Sequence, residues 1–194
     1  MTEEERRKLK LYCLERKIIG SQVFADEFIK KVKLAFVNNK YPGDDNLVSS
    51  AEHRAKCDEC KRTYDFLVGK TWEDCLNEES YRKLGGAQSY MKPLTWHYYL
   101  PAYLIQLVKN SHFSAIYDFE EFMDKDGDLP EIVEMQNERI NLLTSKQCEV
   151  IIDYLEITFK VWEGIEKGYQ DDTNSLNYWK RNYQKALSKE KINK

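Results

Sequence analysis

Glycine and proline are scarce, eight and four in a chain of 194 residues. Turn-rich β-sandwiches and barrels consume many more of both, so an all-β fold is disfavoured. No apolar run approaches the roughly 20 residues of a helical membrane span. The opening "MTEEERRKLK" is too polar for a signal peptide. The charges are mixed, the net charge is −3 and no basic stripe is visible outside the tail, so no nucleic-acid partner is expected, and without a long apolar run no membrane partner either. No G-x-S-x-G, Walker loop or H-E-x-x-H is present. With three histidines in all, a Cys–His or Ser–His pair would have to be assembled across helices. The cysteines, at 13, 57, 60, 75 and 148, have the irregular spacing of free thiols in a reducing compartment. The expected localisation is cytoplasmic.

What is present is the material of a helical core. Hydrophobic residues make up 42% and charged residues 32% of the chain, a globular composition. Helix-start signals recur. Thr2–Glu5 reads as a capping box, in which a hydroxyl and a carboxylate three residues on satisfy free amides reciprocally. Ser21 opens a second helix, with Val23, Phe24, Phe28, Ile29, Val32, Leu34 and Phe36 near helical spacing. Pro42-Gly43 breaks it. Ser49–Glu52 is a second box, predicting a helix that runs to Val68 and stops at Gly69. Thr71 is positioned to cap a short helix with Trp72 and Cys75, and Gly85-Gly86 predicts a flexible break. Pro101 predicts a kink or a new helix start. Thr144–Gln147 is a third box, opening an amphipathic helix, and Asp171–Thr173 starts the last one. The expected fold is all-α, a single-domain irregular bundle of about seven or eight helices over residues 1–188, with a frayed tail at 189–194.

One stretch has the look of chemistry. In "HRAKCDEC", His53 precedes Cys57 and Cys60 with His-x3-Cys-x2-Cys spacing. Imidazole and thiolate are the ligands zinc prefers, and a structural site takes four. Cys75 is the nearest fourth in sequence, with Cys13 and His97 further off. Geometry argues the other way. Residues 53 to 60 of a straight helix span about 10.5 Å, so one ion reaches all three ligands only if the helix bends. Positions 53, 57, 60, 64 and 67 also share one face of such a helix, where free cysteine packs as a small hydrophobe. Packing explains the arrangement without metal, so the residues read as core unless a fourth ligand such as Cys75 comes close; metal site and redox pair are the alternatives. Zinc is the one cofactor the sequence suggests; none is required.

Three further patterns carry weaker signals. Asp124-x-Asp126-x-Asp128 copies the first half of a calcium loop, but Leu129 stands at its glycine position and Met135 at its bidentate glutamate position. Asp44, His97 and Tyr99 are the residues a hydrolase or transferase site assembled across helices would use. Trp72, Tyr90, Trp96, Tyr98, Tyr99 and Tyr103 crowd a short span, and consecutive positions point in different directions around a helix. Some are therefore expected to be exposed, where tyrosine and tryptophan favour protein interfaces. Together with the Pro42, Gly43, Asp44, Asp45 turn, Trp72, Trp96, Tyr98, Tyr99 and Tyr103 form the expected partner-binding surface.

Two resemblances add to this. "AFVNNKYPGDDNLV", "FLVGKTW", "YYLPAYL" and "LTSKQCEVIIDYLE", followed by "SLNYW", resemble a family of small uncharacterised bacterial proteins with a PGD turn and G-K-x-W, YLPA and Q-x3-I-x2-YL segments. The matching positions are Pro42, Gly43, Asp44, Trp72, Tyr99, Leu100, Pro101, Ala102, Gln147 and Trp179. The resemblance implies a bacterial cytosolic domain and no particular activity. Locally, His53, Cys57 and Cys60 resemble the core of zinc-associated anti-sigma factors, but the flanking sequence does not. The leading expectation is a non-enzymatic protein that binds another protein, by analogy a toxin or defence protein that it neutralises. The alternatives are a zinc-dependent helical regulator and the assembled hydrolase or transferase site.

Overall fold

A computed structural model describes Glu4 and residues 22–109, 130–165 and 173–192. The described chain is all-α, with eight α-helices and no strand. They are α1 (Gln22–Ala35), α2 (Ala51–Arg54), α3 (Asp58–Leu67), α4 (Glu78–Ala87), α5 (Pro93–Lys109), α6 (Pro130–Asn141), α7 (Ser145–Ile165) and α8 (Thr173–Ile192). Short 3₁₀ turns lie at Asp44–Asn46, Glu73–Cys75 and Gln88–Tyr90. The Thr2 capping box and the Asp124–Asp128 acidic pattern lie outside the described residues. None of the described helices is long and apolar enough to cross a membrane.

The chain divides into two compact units. The first comprises residues 1–35, 107–128 and 143–194, the second residues 36–106 and 129–142. In the first, α7 begins at the predicted capping box: Thr144 Oγ1 accepts from the Gln147 amide and Gln147 Oε1 accepts from the Thr144 amide. Gln147 Nε2 also donates to the carbonyl of Ala35, at the end of α1. Val150, Ile151, Tyr154 and Leu155 are buried at i, i+1, i+4, i+5, one stripe of an amphipathic helix. Phe28 of α1 packs its ring against Tyr154, and Phe28 and Val32 are buried four apart. Leu34, expected on the apolar side of α1, is 72% exposed because it lies on the face opposite Phe28 and Val32. Trp179 of α8 is fully buried. Ser145 meets Glu190 and Glu156 meets Lys180, so α7 and α8 run antiparallel. The Ser145–Glu190 bonds hold α8 helical through Ile192, past the fraying expected from residue 189.

The second unit is built from shorter pieces. The predicted helix from Ser49 to Val68 is two helices. Ser50, not Ser49, caps α2, its hydroxyl accepting from the His53 amide. Cys57 then caps α3 with its sulfur, which accepts from the Cys60 amide at 3.4 Å. Gly69, φ +68°, follows α3 in the left-handed region, as the C-terminal signal implied. Gly85-Gly86 does not break the chain. Both lie inside α4, which is nucleated by Asn77 accepting from the Ser80 amide.

α5 holds the centre of this unit. Pro93 occupies its first turn, where the missing N–H costs nothing. Pro101 neither starts a new helix nor ends this one. A proline at 101 cannot donate to the carbonyl of His97, four residues back. The side-chain amide of Asn39 supplies that bond instead, Nδ2 to His97 O at 2.9 Å. Polar side chains satisfy other loop carbonyls from the interior. Tyr99 Oη shares its one proton between Leu67 O and, more closely, Lys70 O; Gln106 Nε2 donates to Cys75 O and Asn77 O, and Arg139 of α6 to Gln88 O and Met91 O.

Candidate metal centre

The break between α2 and α3 creates the best-defined cluster of ligating side chains among the described residues. At Ala55-Lys56 the chain leaves one helix axis, and at Cys57 (φ −122°, ψ 105°) it is extended before α3 begins. The straight-helix face predicted for residues 53, 57 and 60 therefore does not exist. The turn brings one ligand atom each from His53, Cys57 and Cys60 within 4.8 Å of one another. His53 is exposed, Cys57 half-buried and Cys60 buried, so the cluster opens to solvent on the histidine side.

The donor set fits zinc. Ligand bonds of about 2.0–2.3 Å put tetrahedral ligand atoms about 3.5–3.8 Å apart, so closing the cluster takes a contraction of about 1 Å. Cys57 sits at the N-terminus of α3, as its capping residue. The amide–sulfur bond from Cys60 already orients that sulfur. Glu59 adds negative charge: the Cys57 thiol lies 3.9 Å from Glu59 Oε2. Against this, burial pushes the Cys60 thiol above its ordinary range, with the Ser49 hydroxyl acting the other way. A cation bound at the sulfur would reverse that balance. The two cysteines are also free thiols at Cys-x-x-Cys spacing, the geometry of a redox pair.

Cys75 does not join the cluster. It lies in the 3₁₀ turn Glu73–Cys75 with no solvent exposure, and burial pushes its thiol up to about 11. It is a core thiol of the second unit, so the fourth corner of the cluster is not cysteine 75.

The expected aromatic surface is corrected too. Trp72, Trp96, Tyr98, Tyr99 and Tyr103 are all buried. α5 is buried on every side from Tyr98 to Val108, so its rings have no outward direction to point. Tyr98 packs edge-on against Tyr41 and Tyr99, and Trp96 donates to Gln88 Oε1 beneath the Arg139 guanidinium. Of the predicted surface only the turn remains accessible, with Asp44 and Asp45 exposed and Pro42 and Gly43 half-buried. That turn is tied down. Tyr41 Oη donates to Asp44 and accepts from the Gly69 amide, and Thr95 Oγ1 donates to Asn46 O. The residues of the assembled-site alternative have local partners, Asp44 accepting from Tyr41 Oη. The Tyr99 hydroxyl is spent on two carbonyls, and His97 packs its ring against Phe36.

Sequence reasoning missed the break itself. Cysteine is not among the usual N-cap residues, and Arg54-Ala55-Lys56 are good helix formers. The only available sign was that a His-x3-Cys-x2-Cys set needs a bend to work at all.

The architecture is thus that of a helical protein with a His-Cys-Cys cluster at a helix break. The chain belongs to DUF6714, a family of unknown function, whose pattern matches residues 25–183. No curated protein and no solved structure matches it.

Proposed function

We propose that the protein is a zinc-dependent helical regulator in which His53, Cys57 and Cys60 hold one zinc ion across the break between α2 and α3. The observation that supports this reading is the convergence of three ligand atoms of the right kind at a point where the helix is interrupted. The ion's part is to join two segments that share no continuous backbone ladder. The protein's part is to present two sulfurs and one imidazole nitrogen and to leave a fourth position accessible on the exposed side. Water, the neighbouring Glu59 carboxylate or a group from a bound protein completes such a position.

Elemental analysis of protein prepared without chelators tests this. The expected result is about one equivalent of zinc per chain, falling below about a tenth in Cys57→Ser and His53→Ala. Cobalt-reconstituted protein should show thiolate-to-metal charge transfer that Cys60→Ser reduces. Wild-type protein that takes up neither metal after reduction of its thiols would end the reading.

A further inference from the structure

A cleft separate from the metal cluster opens between α3 and α4, entirely within the second unit. Its volume is about 570 Å³, within the range of small-molecule sites. Helical spacing builds both walls. Arg62 and Phe66 are four apart on α3, and Lys70 follows just past its end. Arg82 and Gly86 are four apart on α4, with Tyr90 four further on in the next turn. Gly86 and Ala87 keep the α4 wall low; a Cβ added at Gly86 would meet nothing within 4 Å.

The chemistry of the lining is specific. Phe66 forms an apolar floor with Lys70 Nζ 4.4 Å and Lys83 Nζ 5.9 Å from its ring centre. Four cations line the cleft, Arg62, Lys70, Arg82 and Lys83, against two carboxylates, Glu59 and Asp65. This local excess stands on a chain whose net charge is −3. Lys83 is partly engaged by Glu79 at 2.7 Å. Arg62 and Arg82 are exposed and form no ion pair among the described side chains. Two guanidinium forks facing a space floored by rings suit a planar oxyanion on an apolar body.

We propose that this cleft binds a small organic anion, a carboxylate or phosphate monoester carried on an aromatic or similarly apolar group. The anionic head lies between Arg62 and Arg82, and the apolar body lies against Phe66 and Tyr90. This goes beyond the zinc reading and does not depend on it, since none of His53, Cys57 and Cys60 lines the cleft and the anion-binding groups, Arg62 and Arg82, lie outside the cluster.

Amide-resolved NMR titrations of the full chain with phenyl phosphate, benzoate and the neutral isostere phenol test the proposal, with and without added zinc. At least one of the two anions should bind with a Kd of about 1 mM or tighter, perturbing amides of residues 59–70 and 82–90. That anion should bind at least fivefold more tightly than phenol, and whichever it is names the head group. The Arg62→Ala/Arg82→Ala variant should weaken it at least tenfold; both sites are exposed, so the fold is not at stake. Phenol binding as well as both anions would overturn the proposal, as would an unchanged affinity in the double variant. Because the zinc-free arm is expected to bind equally, failure of the metal reading and failure of this one give different results.

Discussion

In the first unit α7 and α8 lie side by side over some five turns, and their own ladders satisfy nearly all of the backbone. In the second, helices of four to seventeen residues are joined by 3₁₀ turns, and buried side chains reach out to satisfy carbonyls that no ladder covers. Burial of apolar stripes suffices to explain the former. The latter depends on particular polar atoms: Asn39 holds the α5 carbonyl that Pro101 leaves without a donor, and Tyr99, Gln106 and Arg139 hold carbonyls of turns and loops. Long regular helices leave backbone groups unpaired only at their ends. Interrupted ones leave helix ends, free caps and concave corners, and both candidate sites lie in the interrupted unit.

This contrast can be broken most severely at Trp179. Trp179→Ala should cost about 3–5 kcal/mol through lost burial and a residual cavity, with hydrogen exchange rising first in α7 and α8. Arg139→Ala should cost about 3 kcal/mol, since two charge-assisted bonds to Gln88 O and Met91 O are lost in a buried place. Its exchange signature should fall on residues 88–96 instead. Equal patterns from the two variants would show that the units do not differ in the way described. Asn39→Ala should cost about 1–2 kcal/mol in the native background. In Pro101→Ala it should cost less than about 0.5 kcal/mol, because the restored amide at 101 reaches His97 O by itself; a double-mutant cycle of denaturant midpoints reads the difference. Gly69→Ala should cost about 1–2 kcal/mol for its φ of +68°, and Gly69→Asn less.

The smallest effect concerns Asp74, whose carboxylate accepts from the Thr71 amide and hydroxyl and is held below the usual carboxylate range by those bonds. A lowered native pKa means that the stabilisation is complete above the ordinary carboxylate pKa. It is lost as the pH falls through the native value. Asp74→Asn should therefore lower the melting temperature slightly at neutral pH and not at all in strong acid. A difference that grows on acidification would contradict the assignment.

The regular unit was the legible one. The Thr144–Gln147 box, the α7 stripe and the start of α8 at Thr173 follow from local pattern, because each is decided within a few residues of itself. What the pattern could not supply was direction in three dimensions. Trp96, Tyr98, Tyr99 and Tyr103 looked too many for one core, yet a helix buried all round absorbs them. Gly85-Gly86 looked like a break, yet the Asn77 cap and the buried Leu84 and Ala87 carry the helix across. At the candidate metal centre the ligand types and spacing were visible. The bend that makes them converge was not, because a sulfur cap at Cys57 has no counterpart in the usual rules. The α3–α4 cleft gave no signal, since its residues come from two segments whose approach no local rule encodes.

The bond between Asn39 and the carbonyl of His97 has a consequence for how substitutions combine. With proline at 101, removing the amide at 39 takes away the donor that replaces the absent N–H. With an ordinary residue at 101, the same change at 39 leaves the helix ladder to supply it. Two positions far apart in the chain are thereby coupled by one missing hydrogen, and the effect of a substitution at one depends on the residue at the other.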